Sequence, residues 1–166
     1  NEEAVAVSAS DIADRDHIKV EVENGVLKIY YDKKGFLKLL RRDKTKLKAY
    51  IWVKKIDKLT ASGACDVHLQ GKLKLKTLKL ELSGASDLQG GEVEVDNLDV
   101  HQSGASDFQL NGRAANVKME ANGSSDIKAY GLIIDYLDLN VSGASDAHVT
   151  VNKELNVEAS GASDVR

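Results

Sequence analysis

Ser83-Gly84-Ala85-Ser86-Asp87 decides the reading of this chain, because the chain repeats it. The phrase returns at Ser103–Asp107, Ser142–Asp146 and Ser160–Asp164. Variants stand at Ser62-Gly63-Ala64-Cys65-Asp66 and Asn122-Gly123-Ser124-Ser125-Asp126. The closing aspartates are Asp66, Asp87, Asp107, Asp126, Asp146 and Asp164, spaced 18 to 21 residues apart. A period near 20 residues marks a solenoid, in which each repeat is one coil burying its apolar face on its neighbours.

Working back from each Asp gives an apolar column. Leu78, Leu80 and Leu82 correspond to Leu98, Val100 and Gln102; to Val117, Met119 and Ala121; to Leu137, Leu139 and Val141; and to Leu155, Val157 and Ala159. The first repeat is weaker, with Asp57, Leu59 and Ala61. Polar residues fill the positions between, so each segment alternates with period two, the pattern of a half-buried strand. A second alternation follows each Asp (Val67 and Leu69, Leu88, Phe108 and Leu110, Ile127 and Ala129, Ala147 and Val149), and a third apolar pair follows in several coils, as in Val93 and Val95. Two to three short strands with tight corners describe one coil of a parallel β-helix. A helical crossover needs more chain than that. The expected fold is therefore all-β: a single-stranded parallel β-helix of about six coils over residues 56–166, about 25–30 Å long. The repeated phrase makes the corner, with Gly supplying backbone freedom and Ser and Asp accepting hydrogen bonds from backbone N–H groups.

Residues 1–55 lack the repeat. Ile18, Val20 and Val22 alternate with charged residues up to Asn24-Gly25, and Val26–Tyr31 follows, which is a hairpin signal. Ser8-Ala9-Ser10-Asp11 is a candidate echo of the corner, Phe36–Arg42 is a short helix or an irregular strand, and Leu47–Val53 reads as a strand. The end of a solenoid exposes apolar side chains and unpaired backbone. The segment is therefore expected to be a β-rich cap packed on the first coil.

Composition narrows the function. With 42% hydrophobic and 30% charged residues, the chain has the balance of a soluble globular protein. A net charge of −3 with interspersed signs argues against nucleic acid as partner. Thirteen Gly and no Pro leave the turns to Gly, Asn, Asp and Ser. The single Cys65 occupies a serine slot and has no arranged base, so it reads as a small structural residue. No apolar stretch approaches the ~18 residues of a membrane-spanning helix. The opening residues carry no basic-then-apolar signal, so the chain is expected to be intracellular or an export product without its leader.

The SGASD corners, their spacing and the β-rich lead-in resemble the bacterial auto-transporter adhesin head domain, or head GIN domain, over most of the chain from about Val5 to Arg166. The resemblance implies a right-handed parallel β-helix, export from a signal-bearing or lipoprotein precursor, and a periplasmic or cell-surface role. The chain departs from it at the end, stopping two residues past Asp164 without a glycine-rich close.

The six stacked aspartates are the chief candidates for chemistry. Neighbours one coil apart repel by about 1 kcal/mol in water and ~3–4 kcal/mol at an effective dielectric of 20. In the plain reading, each Asp is held by backbone N–H and serine hydroxyl groups at its own corner. Alternatively, Ca²⁺ sits between coils on Asp66, Asp87, Asp107, Asp126, Asp146 and Asp164 with carbonyl oxygens, although one carboxylate per coil is a sparse ligand set. A polysaccharide lyase or hydrolase is the enzymatic alternative. Carboxylates about 5 Å apart suit a retaining glycosidase, but here coil pitch repeats that spacing at every step, and no locally unusual cluster marks a catalytic centre. His17, His68, His101 and His148 read as surface residues, and Tyr130, Tyr136 and Phe108 as core or coil-edge packing, with a sugar-stacking platform as the alternative. The expected function is a non-catalytic, exported, adhesin-like binding module with no cofactor. Its expected partners are a glycan or a cell-surface protein, with self-association through the last coil as a further option.

Overall fold

A computed structural model describes residues 3–32 and 46–166, and the chain divides into two compact units, Asn1–Lys54 and Lys55–Arg166. The first unit contains β1 (Ala4–Ala9), α1 (Ile12–Arg15), β2 (Ile18–Glu23), β3 (Val26–Tyr31) and β4 (Leu47–Trp52). Strands β2 and β3 form the hairpin, in register from Ile18 opposite Tyr31 to Glu23 opposite Val26. Asn24 and Gly25 turn it with φ of 51° and 76°, the left-handed pair that a type I′ turn needs. Strand β1 pairs antiparallel with β4, from Ala4 opposite Trp52 to Ala9 opposite Leu47. Ser8–Asp11 is not a corner. Asp11 caps α1 instead, its Oδ1 accepting from the Ala13 N–H at 2.8 Å. That stretch lacks the glycine on which the true corners pivot. The Phe36–Arg42 expectation lies outside the described residues.

The second unit is a parallel β-solenoid. Its strands are β5 (Lys58–Gly63), β6 (Asp66–Gly84), β7 (Asp87–Gly104), β8 (Asp107–Gln109), β9 (Asn111–Gly123), β10 (Asp126–Gly143), β11 (Asp146–Gly161) and β12 (Asp164–Val165). Each pairs in parallel with the strand one turn on, and like residues face like: Ser62 pairs with Ser83, Gly63 with Gly84, Leu80 with Val100. Two points differ from the sequence expectation. Six corners delimit five complete turns, so the expected sixth coil exists only as the partial strands β5 and β12. The separate short strands of a turn also merge, β6 running for 19 residues. Its second bend only shifts the ladder register, between Leu69 and Lys72. The strand breaks at the last two residues before each Asp of the repeated phrase and, in one turn, at Leu110 between β8 and β9.

The three apolar columns form the core. Leu78, Leu98, Val117 and Leu137 are buried, as are Leu80, Val100, Met119 and Leu139, and Leu82, Ala121 and Val141. Gln102 stands in the last of these columns and is buried too. Its Nε2 donates to the Ser106 carbonyl at 2.7 Å, tying the core to the next corner. On the final full turn, Leu155 and Val157 are 47% and 37% exposed.

The corner depends on glycine and serine. Gly104 has φ 90°, and a Cβ there would lie 2.4 Å from the Gly84 carbonyl oxygen. That oxygen accepts from the Ala105 N–H at 2.8 Å, and the same bond recurs up the stack. The corner serine hydroxyls donate to the carbonyl three residues back, Ser86 to Ser83 at 2.9 Å, Ser106 to Ser103 at 3.2 Å and Ser125 to Asn122 at 3.4 Å, and Ser145 Oγ also accepts from the Ser125 N–H at 3.1 Å, the role expected of it. Cys65 fills the same slot, its Sγ 3.2 Å from the Ser62 carbonyl oxygen.

Gly63 has nearly the same φ, 89°, but nothing lies within 4 Å of its added Cβ. Gly63→Ala should therefore cost about 1 kcal/mol of backbone strain. Gly104→Ala should cost at least 2 kcal/mol more, roughly, since a stacked carbonyl must also move. Urea unfolding of the two variants measures the difference, and equal midpoints would show that close stacking does not constrain the corner.

Candidate functional site

The aspartates stand in single file. Asp66 pairs with Asp87, Asp107 with Asp126 and Asp146 with Asp164 across adjacent strands. Neighbouring groups offset their mutual repulsion. Asp87 Oδ1 accepts from the Asp107 N–H at 3.0 Å. Lys128 Nζ lies 2.8 Å from Asp107 Oδ2 and 3.5 Å from Asp126 Oδ2, and the bond to Asp107 holds the lysine pKa above its ordinary value. Among the described residues, no three His, Cys, Asp or Glu side chains converge as a metal-ligand group.

Elsewhere charges of opposite sign meet between turns. Lys74 meets Glu94 at 2.7 Å, Arg113 meets Asp135 at 3.3 Å and Lys153 meets Asp135 at 3.0 Å. On the face leading to the corner, Lys79 approaches Asp99 at 3.6 Å, and Lys118 and Asp138 continue the same column. Asp135 is the most enclosed of these carboxylates, 8% exposed and gripped by cations from the turn on either side. The Lys153 hydrogen bond, with Arg113 nearby, holds its pKa below the ordinary value.

A groove of about 700 Å³ runs across successive turns of the solenoid. One wall is the column Thr77, Asn97, Asn116, Tyr136 and Glu154, and the other is Lys79, Asp99, Lys118, Asp138 and Asn156. The walls flank one strand position, occupied by Leu78, Leu98, Val117 and Leu137, whose side chains point into the core while their backbone floors the groove. The amides form a ladder, Asn116 Nδ2 donating to Asn97 Oδ1 at 3.2 Å and to the Asp96 carbonyl at 3.3 Å. The first wall stands ten residues before each Asp from Asp87 onward, so its column was visible in the sequence. Nothing in residue type marked it as concave.

The remaining candidates are dispersed. His101 lies between carboxylates, Nε2 3.0 Å from Asp99 Oδ1 and Nδ1 2.9 Å from Glu120 Oε2. Glu120 has a lowered pKa, chiefly through its Lys118 hydrogen bond. His17 is tilted against Tyr31, and His148 stacks on Tyr130 with the Tyr130 hydroxyl 2.7 Å from Nδ1. Phe108 is core, as expected. Tyr130 and Tyr136 face outward, 57% and 44% exposed, because Tyr130 follows core Ala129 and Tyr136 precedes core Leu137 in the alternation. Lys153 Nζ lies 5.2 Å from the Tyr136 ring centre.

One family model, described as "Putative auto-transporter adhesin, head GIN domain", matches residues 1–166. The chain belongs to that family. Its description is that of an exported or surface protein. No protein of the curated set matches the chain. Among solved structures, it is similar to a "Putative lipid binding protein" from Parabacteroides distasonis ATCC 8503, at 18% identity and a TM-score of 0.64, covering 100% of this chain and 85% of that one. At that identity the likeness concerns the fold.

A carboxylate with a depressed pKa stabilises above its unfolded value and loses that contribution as pH falls through its folded value. Asp135→Asn should therefore lower the urea midpoint at neutral pH. The gap from the parent should narrow on acidification below 3.8, the ordinary value for this group. A gap independent of pH would mean that the ion pairs contribute nothing.

Proposed function

We propose that this head GIN domain is a non-catalytic binding module of the outer cell surface, which holds a rigid external face against a large partner. The observation that carries this reading is the filled interior. The core columns of the middle turns are buried without interruption, so the stack offers its surface and not an internal chamber. Enzymes and small-molecule carriers engulf their ligands in enclosed pockets. The concavity described above is an open groove on the outside. Salt-bridged columns of alternating sign suit broad, weak contact with a polymer or a second surface, since their long-range field largely cancels.

The immobilised domain, presented with intact bacterial or host cells and with a glycan array, should bind saturably to at least one surface. Anionic and zwitterionic vesicles form a separate arm, prompted by the lipid-binding description of the Parabacteroides protein. Incubation with neutral and acidic polysaccharides should release no new reducing or unsaturated ends. Release of such ends, abolished by one carboxylate substitution, would replace the module with an enzyme.

A further inference from the structure

We infer that the groove beside the asparagine ladder is a binding site for a neutral, linear, β-linked polysaccharide lying along the solenoid axis. This deepens the binding-module reading and rests on it. Repetition supports the inference. Each turn contributes one residue to each wall, and the turns repeat about every 4.8 Å, close to the rise per sugar of an extended β-linked pyranose chain. A polymer in this groove meets one residue of each wall for every turn it crosses.

Charge selects the class of polymer. Down the second wall the order is Lys79, Asp99, Lys118, Asp138, then the amide Asn156. A polyanion would meet a carboxylate at every second turn and a polycation an ammonium, so neither gains along its length. A polyhydroxyl chain can donate to the carboxylates and accept from the ammonium groups.

The first wall supplies groups of both kinds. Asn97 Oδ1 already accepts from Asn116 Nδ2. The Asn97 NH₂ and the Asn116 carbonyl oxygen have no partner among the described residues, so the ladder offers a donor and an acceptor on neighbouring turns. Tyr136 ends this run of amides with a half-exposed ring. Lys153 Nζ stands over one face of the ring, 5.2 Å from its centre, so the C–H face of a pyranose would pack on the other. A lipid tail is disfavoured, since the walls are amide and charge and the apolar side chains beneath them turn inward.

The test is calorimetric titration of the whole domain with a length series of neutral linear β-glucan and N-acetylglucosamine oligomers. Oligogalacturonate and phosphatidylcholine vesicles serve as competing probes. Affinity for a neutral oligomer should rise with length and level off at ~5 sugars, one for each turn that lines the groove. Asn97→Ala combined with Asn116→Ala should weaken it about tenfold. Tyr136→Ala should weaken it roughly three- to tenfold, while Asn140→Ala outside the groove leaves it unchanged. If the paired amide variant unfolds early in urea, Tyr136→Ala and Thr77→Ala carry the test. Preference for oligogalacturonate or vesicles, affinity independent of length, or binding indifferent to the groove variants would overturn the site while leaving a binding module. Failure to bind any cell, glycan or vesicle would remove both.

Discussion

The close approach of glycine backbones between stacked turns is the constraint that the solenoid satisfies first. A Cβ at Gly84, Gly104, Gly123, Gly143 or Gly161 would sit 2.3–2.5 Å from the carbonyl oxygen of the glycine one turn before. No side chain fits there. Because that spacing is met, the following N–H reaches the same carbonyl at 2.8 Å and the parallel ladder continues through the bend. The buried hydroxyls then satisfy the carbonyls that the bend takes out of the ladder. In water a corner of this kind would need no such chemistry, but in a stack an unpaired carbonyl costs about 1–3 kcal/mol.

In-register stacking has an electrostatic consequence. Every outward position becomes a column one coil pitch apart, so like charges in one column repel along its length. From Lys79 onward its column alternates in sign, Lys74 pairs with Glu94, and where Lys58 stacks on Lys79 both lysines reach Glu81. The aspartate column cannot alternate, because Asp belongs to the repeated corner. It is offset locally, by the Asp107 N–H on Asp87 and by Lys128 between Asp107 and Asp126. Regular spacing of these carboxylates follows from pitch, and their pairwise distance is therefore no mark of a glycosidase.

The same stacking bears on what the surface can do. A filled core leaves contact to the outside, and the wall residues of the groove come from as many turns as it crosses. A site of this kind is assembled from one position per repeat. Its residues are weakly distinctive one at a time, unlike a catalytic cluster, and its specificity resides in their order along the axis.

The fold was legible in the sequence because its cause is local and periodic. Glycine, alanine and serine at a fixed offset from Asp, with period-two apolar columns behind them, state the corner, the strands and the inward faces. Five turns instead of six is a matter of counting corners against the turns between them. Asp11 shows the limit of motif reading: without the glycine, a similar phrase caps a helix. The amide column was equally present in the sequence, at a constant offset. Its concavity is a property of the packed stack, in which residues of five successive turns line one groove. The outward aim of Tyr136 and the grip of Arg113 and Lys153 on Asp135 likewise join residues 17 to 22 apart in the chain. The sequence alone determined which residues stack; only tertiary structure decided which columns enclose a groove, because curvature is set where the turns meet.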